Sequence, residues 1–292
     1  MTTFTVRDIP DLTGTTALVT GASNGIGRSA AHALAAAGAR VVLAVRSAER
    51  GKEAAAGMPG TTEVRVLDLA DLSSVHAFAA GWDGPVDLLL NNAGTSARSL
   101  TRTADGFELM FGVHHLGHFA LTNLLLPHLT GRVVTVASQA ERMARLDLDD
   151  LQWERRPFRA SRAYNDSKLA NLLFTAELQR RLTAAGSGVL AHAAHPGLVA
   201  TGIYPSGGRR PSDLMLALTL RLLAQSRDQG ALPLLHAAVA DLPGNSFTGP
   251  SHLAHMRGAP RLIPRSATAQ DPALAARLWD VSAHLTGVSF PL

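Results

Sequence analysis

Thr16-Ala17-Leu18-Val19-Thr20-Gly21-Ala22-Ser23-Asn24-Gly25-Ile26-Gly27, the run TALVTGASNGIG, decides the fold. A short apolar run of β type leads into a glycine-rich turn, and an Ala-rich helical stretch follows near 26–37. Gly21 permits the tight turn, Gly25 lets backbone approach a pyrophosphate, and Gly27 lets the helix pack on the sheet. The helix N-terminus then offers N–H groups and partial positive charge to phosphates. Ser23, Asn24 and Ile26 fill the loop between those glycines. A glycine triplet alone is often a plain turn; the strand before it and the helix after it give it the dinucleotide reading.

The same alternation continues outward. Apolar β-type runs occur at 16–20, 40–45, 63–67, 86–90, 132–137 and 189–195, with helical patterns near 48–57, 71–80, 107–128 and 162–185. Runs without polar alternation suit strands covered on both faces. The expectation is one α/β domain over 1–292: a doubly wound, Rossmann-type parallel sheet with helices on both faces. Two stretches interrupt the pattern, the charged 139–161 and the turn-then-apolar 202–227. Both follow carboxyl ends of strands, where ligands of such sheets bind, and both read as loop or lid elements. Most charged side chains of 139–161 are expected on a solvated face.

Composition excludes several classes. The net charge of +4 comes from 27 basic and 23 acidic residues with no long basic run, so nucleic acid is not an expected partner. There is no cysteine, which removes disulfides, thiolate chemistry and cysteine metal sites. The first residues hold no signal-type apolar core, and Leu214 to Ala224 is too short to span a bilayer and contains Arg221. A cytoplasmic protein without stable membrane insertion is expected. Heavy use of Ala, Arg and Leu fits a GC-rich bacterial genome.

The second strand ends Val45-Arg46-Ser47. An NAD site usually places a carboxylate about 20 residues past the glycines to bind the ribose 2′-hydroxyl. Here an arginine stands there, and a guanidinium binds a 2′-phosphate bidentately where a carboxylate would repel it. NADP(H) is therefore expected over NAD(H), the other reading being a solvated strand-end arginine. Asp68-Leu69 ends the third strand, where Asp68 either meets an adenine amino group or caps a helix. Asn92, Ala93 and Gly94 follow the fourth strand, small enough for a ribose to come close or for a plain turn.

Tyr164 and Lys168 are four apart and share one helix face. A phenol beside a fixed ammonium ionises below its usual pKa of roughly 10, which makes Tyr164 a candidate acid/base. The spacing alone is common. His114 and His118 are also four apart, but no Glu in a His-Glu-x-x-His pattern and no third ligand accompany them, so no metal site is expected. His195 at a strand end, and His252 and His255 in a surface loop, are read the same way. The apolar stretch 211–225 is either a core helix or a lid implying a lipophilic substrate.

In this order, TGASNGIG, Asp68, NNAG at 91–94, Ser138, YNDSK at 164–168 and HPGLVAT at 195–201 resemble the short-chain dehydrogenase/reductase family. GVHHLGHFALT at 112–122, YNDSKLANLLFTAEL at 164–178 and LWDVSAHLTG at 278–287 are similar to its retinol dehydrogenase-like branch, which also resembles protochlorophyllide reductase and the WW-domain oxidoreductases. The resemblance implies Tyr164 as general acid/base and Ser138 as the hydrogen-bond partner of the substrate oxygen. It puts Lys168 on the nicotinamide ribose, Asn92 near a cofactor ribose, Val199 and Thr201 near the carboxamide, and Pro196-Gly197 as the turn beneath the nicotinamide. It also implies a homodimer or homotetramer built on the helices near 107–128 and 162–185. One position departs: His114 stands where the family has an asparagine that anchors a proton-relaying water. A histidine there either keeps the relay with altered pH dependence or breaks it. The resulting expectation is an oxidoreductase interconverting a carbonyl and an alcohol on a small or medium apolar molecule. The rival is a silent NADP(H)-binding sensor or scaffold.

Overall fold

In the computed structural model, which describes residues 3–199 and 224–292, eight strands form one sheet in the order β3-β2-β1-β4-β5-β6-β7-β8. The strands are β1 (Thr16–Thr20), β2 (Arg40–Val45), β3 (Thr62–Val66), β4 (Val86–Asn91), β5 (Leu129–Val136), β6 (Leu190–Ala194), β7 (Phe247–His252) and β8 (Arg257–Leu262). All neighbours pair in parallel except β8, which runs antiparallel to β7 along the edge. The apolar runs locate the first six strands to within a few residues. They do not mark β7 and β8, where FTGPSH and RGAPRL carry Gly, Pro and charge. These depart from strand composition because an outer antiparallel pair needs less apolar surface than a central parallel strand.

Helices cover both faces. On one side Ala17, Val19, Leu43, Leu88, Leu90 and Val134 meet α1 (Gly25–Ala36) and a helix over Arg227–Val239. On the other, Leu18, Val42, Leu89 and Val133 meet Phe119, Phe174, Leu178 and Trp279. Successive side chains of one strand thus enter opposite cores, which is why the strands are apolar throughout rather than alternating. A charge placed at Leu89 would be buried in the second of these cores.

Local sequence sets the helix starts. Asn24 caps α1, Ser47 caps α2 (Ala48–Ala55), and Asp71 caps α3 (Leu72–Ala80). The stretch read as one helix near 107–128 is three pieces: α4 (Leu109–Phe111), a π-helical turn (Gly112–Leu116) and α5 (Gly117–Leu125), ending in a 3-10 turn. The Leu109–His128 stretch is long and apolar enough to cross a membrane, yet 89% of its apolar window lies buried inside the fold. α6 spans Ala160–Ala184. α7 (Arg227–Val239) begins with a Ser226/Gln229 capping box, and α8 (Pro272–Thr286) starts on Asp271 and stops at Gly287. On α8, Trp279 stacks on Phe174 with ring centroids 5.7 Å apart and meets Phe119 edge-on at 4.8 Å.

The chain leaves β3 at one edge and re-enters at β4 on the far side of β1, so the strand order reverses between β1 and β4. The crevice at their carboxyl ends is where open α/β sheets bind ligands.

Candidate active site

Gly21 adopts φ +67°, which allows the chain to turn sharply off β1, and a Cβ there would lie 2.8 Å from the Ala93 Cα. A Cβ on Gly27 would come within 2.3 Å of the Asn92 amide nitrogen. The start of α1 therefore rests against the tip of β4 with no room for a side chain. Asn92 donates from its side chain to the Thr20 carbonyl at 2.8 Å. Thr20 Oγ1 accepts the backbone N–H groups of Asn92 and Ala93, each at 2.9 Å. This staple brings Asn92, Ala93 and Gly94 alongside the turn of Gly21, Ser23, Asn24, Gly25 and Ile26, a backbone-lined cradle that fits a dinucleotide pyrophosphate and ribose.

Around that cradle, Arg46 is exposed just past β2, and Ser47 caps α2 by accepting Arg50 N–H at 3.3 Å. Asp68 is not the helix cap: Asp71 is, while Asp68 Oδ1 accepts the Ala70 N–H at 2.9 Å in the turn beyond β3. Leu69 is buried, with its carbonyl against Gly117. Pro196 and Gly197 form the turn after β6, and Val199 is buried beside Gly230 on α7. Thr201 and most of the 202–227 element lie outside the described residues.

Two residues of this end carry no signal in the motifs. Gln225 donates to the Pro196 carbonyl at 2.6 Å, and its own backbone N–H reaches the Leu198 carbonyl at 2.8 Å. Arg227 donates to Asn24 Oδ1 at 3.1 Å, beside the glycine-rich turn. The Ser226-x-x-Gln229 capping signature locates this helix start and would have separated both residues from the apolar stretch before them.

The catalytic candidates converge at the carboxyl end of β5. Ser138 follows that strand and caps a 3-10 turn, accepting the Ala140 N–H at 3.2 Å. Tyr164 and Lys168 project from α6; the Lys168 ammonium lies 5.7 Å from the Tyr164 ring centroid and donates to the Val136 carbonyl at 3.1 Å. Lys168 is only 4% exposed, and burial pushes its pKa down to about 7.

His114 sits on the π-helical turn, fully buried, with its ring 5.9 Å from that of Tyr164. Nδ1 is 2.8 Å from Ser167 Oγ, and Ser167 donates to the Tyr164 carbonyl at 2.7 Å. Nε2 is 2.9 Å from both the backbone N–H and the carbonyl oxygen of Thr95. A proton on Nδ1 is given to Ser167 and leaves Nε2 to accept from the Thr95 N–H; a proton on Nε2 is given to the Thr95 carbonyl and leaves Nδ1 to accept from Ser167. Burial first, and then the Lys168 charge, hold the pKa of His114 well below the usual imidazole value. His118 bonds elsewhere. Its Nδ1–H donates to the His114 carbonyl at 3.1 Å, and Nε2 takes the Thr20 hydroxyl at 2.9 Å. The two histidines share a helical stretch but bond in different directions.

The solvated face expected for 139–161 is only partly realised. Arg142, Arg145, Asp149, Glu154 and Arg155 are exposed, but Glu141 and Asp150 are buried. Glu141 accepts both the backbone N–H (2.9 Å) and the hydroxyl (2.5 Å) of Ser266, and Asp150 accepts the N–H groups of Glu154 and Arg155. Side-chain charge alone does not reveal a carboxylate that is buried to hold a loop.

A reversal crevice with a glycine cradle on one wall and Ser138, Tyr164 and Lys168 on the other defines a dinucleotide-dependent oxidoreductase of Rossmann type. Residues 15–209 match the model of the short chain dehydrogenase family, and the chain belongs to that family. Human retinol dehydrogenase 13 is 40% identical over 95% of this chain and 86% of its own. Dehydrogenase/reductase SDR family member 13 of Bos taurus is also 40% identical, over 97% of this chain and 76% of its own. A crystal structure from Mycobacterium paratuberculosis superposes over the whole of both chains with a TM-score of 0.87 at 48% identity. A Beutenbergia cavernae structure described as an NAD(P) dependent gluconate 5-dehydrogenase with bound NADP is 30% identical, with a TM-score of 0.59 over 78% of this chain and 91% of its own.

Proposed function

We propose that this oxidoreductase uses NADP(H) to interconvert a carbonyl and an alcohol on a small or medium apolar molecule. The observation that carries the reading is the buried Lys168 ammonium, anchored at the end of β5 and 5.7 Å from the half-buried Tyr164 ring. Bound NADP(H) supplies the hydride chemistry. Tyr164 gives a proton to the carbonyl oxygen in reduction and takes one from the alcohol in oxidation. Ser138 holds that oxygen with its hydroxyl. One of the three Lys168 donors is on Val136; the others are assigned to the nicotinamide ribose, and the positive charge favours the ionised phenol.

Arg46 supports NADP(H) over NAD(H): it is exposed at the tip of β2, where a 2′-phosphate would lie, with no carboxylate in Val45-Arg46-Ser47. Reduction is the favoured direction in this proposal, from that cofactor choice. The names of the retinol dehydrogenase relatives support an apolar alcohol or aldehyde as substrate. The cytoplasm is the proposed setting.

A panel of aldehydes and ketones, followed by NADPH absorbance, tests the reading. Tight NADPH binding with no turnover across the panel would sink it in favour of a sensor. Arg46→Glu is expected to raise KM for NADPH at least about tenfold while leaving NADH use unchanged or improved. A wild type that prefers NADH would overturn the assignment of Arg46.

A further inference from the structure

Asp166 stands between Tyr164 and Lys168 on α6, and its carboxylate is turned to the 139–161 loop. It is 4% exposed. Oδ1 accepts the Arg145 backbone N–H at 2.7 Å, and Oδ2 lies 3.6 Å from Arg156 Nη2. Arg156 also pairs with Asp150, Nε to Oδ2 at 3.4 Å, and donates to the Asp150 carbonyl at 3.3 Å. Its guanidinium carbon lies 4.0 Å from the centroid of the Trp153 ring.

Trp153 has φ +57°, a left-handed backbone that a bulky residue keeps only when its surroundings hold it. Its ring is buried with Met110 and Ala163, and Tyr164 packs against that cluster. Phe158 closes it edge-on, 5.4 Å from Trp153. The contacts therefore run from Asp166 through Arg156 to Trp153, a member of the cluster that Tyr164 packs against. A buried carboxylate is costly unless it is paired, and an apolar residue would serve helix packing at less cost. Burial raises the Asp166 pKa, opposed by the Arg145 N–H and by Arg156 and Arg162.

We propose that Asp166 and Arg156 are positioning residues, an ion-paired latch that holds the loop on α6 and fixes the Trp153 cluster against which Tyr164 packs. The catalytic part of this rests on Tyr164 being the acid/base. A phenol packed on a fixed cluster stays at transfer distance, and a displacement of about 1 Å can cost about a hundredfold in rate. Among the described residues the latch meets the cradle only through α6, so cofactor affinity is not its output.

The test uses the full chain with NADPH and two charge-removing variants. Arg156→Met keeps a side chain over Trp153, and Asp166→Asn keeps an acceptor for the Arg145 N–H. Trypsin cleavage at Arg142, Arg145, Arg155, Arg159 and Arg162 reads the loop without needing turnover. Loop cleavage is expected to accelerate about tenfold and kcat on a carbonyl substrate to fall about tenfold in each variant, with NADPH affinity unchanged. Arg156→Lys is expected to recover part of both. Wild-type cleavage rates in both variants overturn the latch. Equal losses in kcat, NADPH affinity and melting temperature overturn the positioning role. If no carbonyl is turned over by the wild type, the catalytic reading fails by itself and the cleavage rates still decide the latch.

Discussion

Both ring nitrogens of His114 are bonded inside the fold, one to Ser167 and one to Thr95. A neutral imidazole in either tautomer has one donor and one acceptor, the same inventory that an asparagine amide brings to two such partners. The titration expected of a histidine near neutrality is lost because burial and the Lys168 charge disfavour the imidazolium. His114→Asn is therefore expected to keep kcat/KM within about threefold and to leave the pH–rate limbs unmoved between about pH 5 and 8. A shifted acid limb in that variant would show that the ring titrates. Lys168 gives the opposite case. Its folded pKa of about 7 lies below the unfolded value of 10.5, so the unfolded chain binds more protons between the two. Stability of the cofactor-free protein from this group therefore rises with pH across that window, and below it the burial penalty is present in full. Melting temperatures measured from pH 7 upward should show this rise in the wild type and lose it in Lys168→Met.

The elements differ in how plainly the sequence shows them. β1 and β2 were legible to the residue, because a strand buried on both faces has to be apolar throughout. The cradle was legible because only glycine fits at positions 21 and 27, where backbone and the Asn92 amide fill the space of a side chain. Gly27→Ala is expected to push Asn92 off Thr20, costing about 1–3 kcal/mol in unfolding free energy and weakening NADPH binding. An alanine variant with unchanged melting and binding would mean that Asn92 moves aside freely. The π-helical turn was not legible, since GVHHL has the composition of any buried helix and the extra residue appears only in the backbone bonds. β7 and β8 were missed because FTGPSH and RGAPRL lack the apolar run of a central strand, and β7 joins the sheet through β6, which is distant in sequence. Asp166 sits inside the YNDSK motif, yet the motif gives it no function. Its partner is a guanidinium ten residues earlier, across a folded loop.

At the scale of the whole molecule, the described residues hold α6, which carries Tyr164 and Lys168, from four directions. β5 receives Lys168 and Asn171 through the Val136 carbonyl. The π-helical turn reaches it through His114, and the 139–161 loop through Asp166. α8 packs along it with Trp279 on Phe174 and the Arg181 guanidinium over Trp279. The same α8 meets the π-helical turn where His115 Nε2 donates to Ser282 at 2.7 Å. Burial of aromatic rings stabilises this side of the fold by roughly 1.5–3 kcal/mol for each. The proposed acid/base residue, Tyr164, thus sits on a helix fixed on several sides.

Gln225 joins the two ends of the stretch between β6 and α7. Val199 and Gln225 bridge side by side, with Gln225 bonded to Leu198, so the chain leaves and returns at a single point. A connection whose ends are already joined adds only about 0.6 kcal/mol of closure entropy for each doubling of its length. A change in the number of residues between Val199 and Gln225 is therefore expected to leave that bridge in place at a small entropic cost.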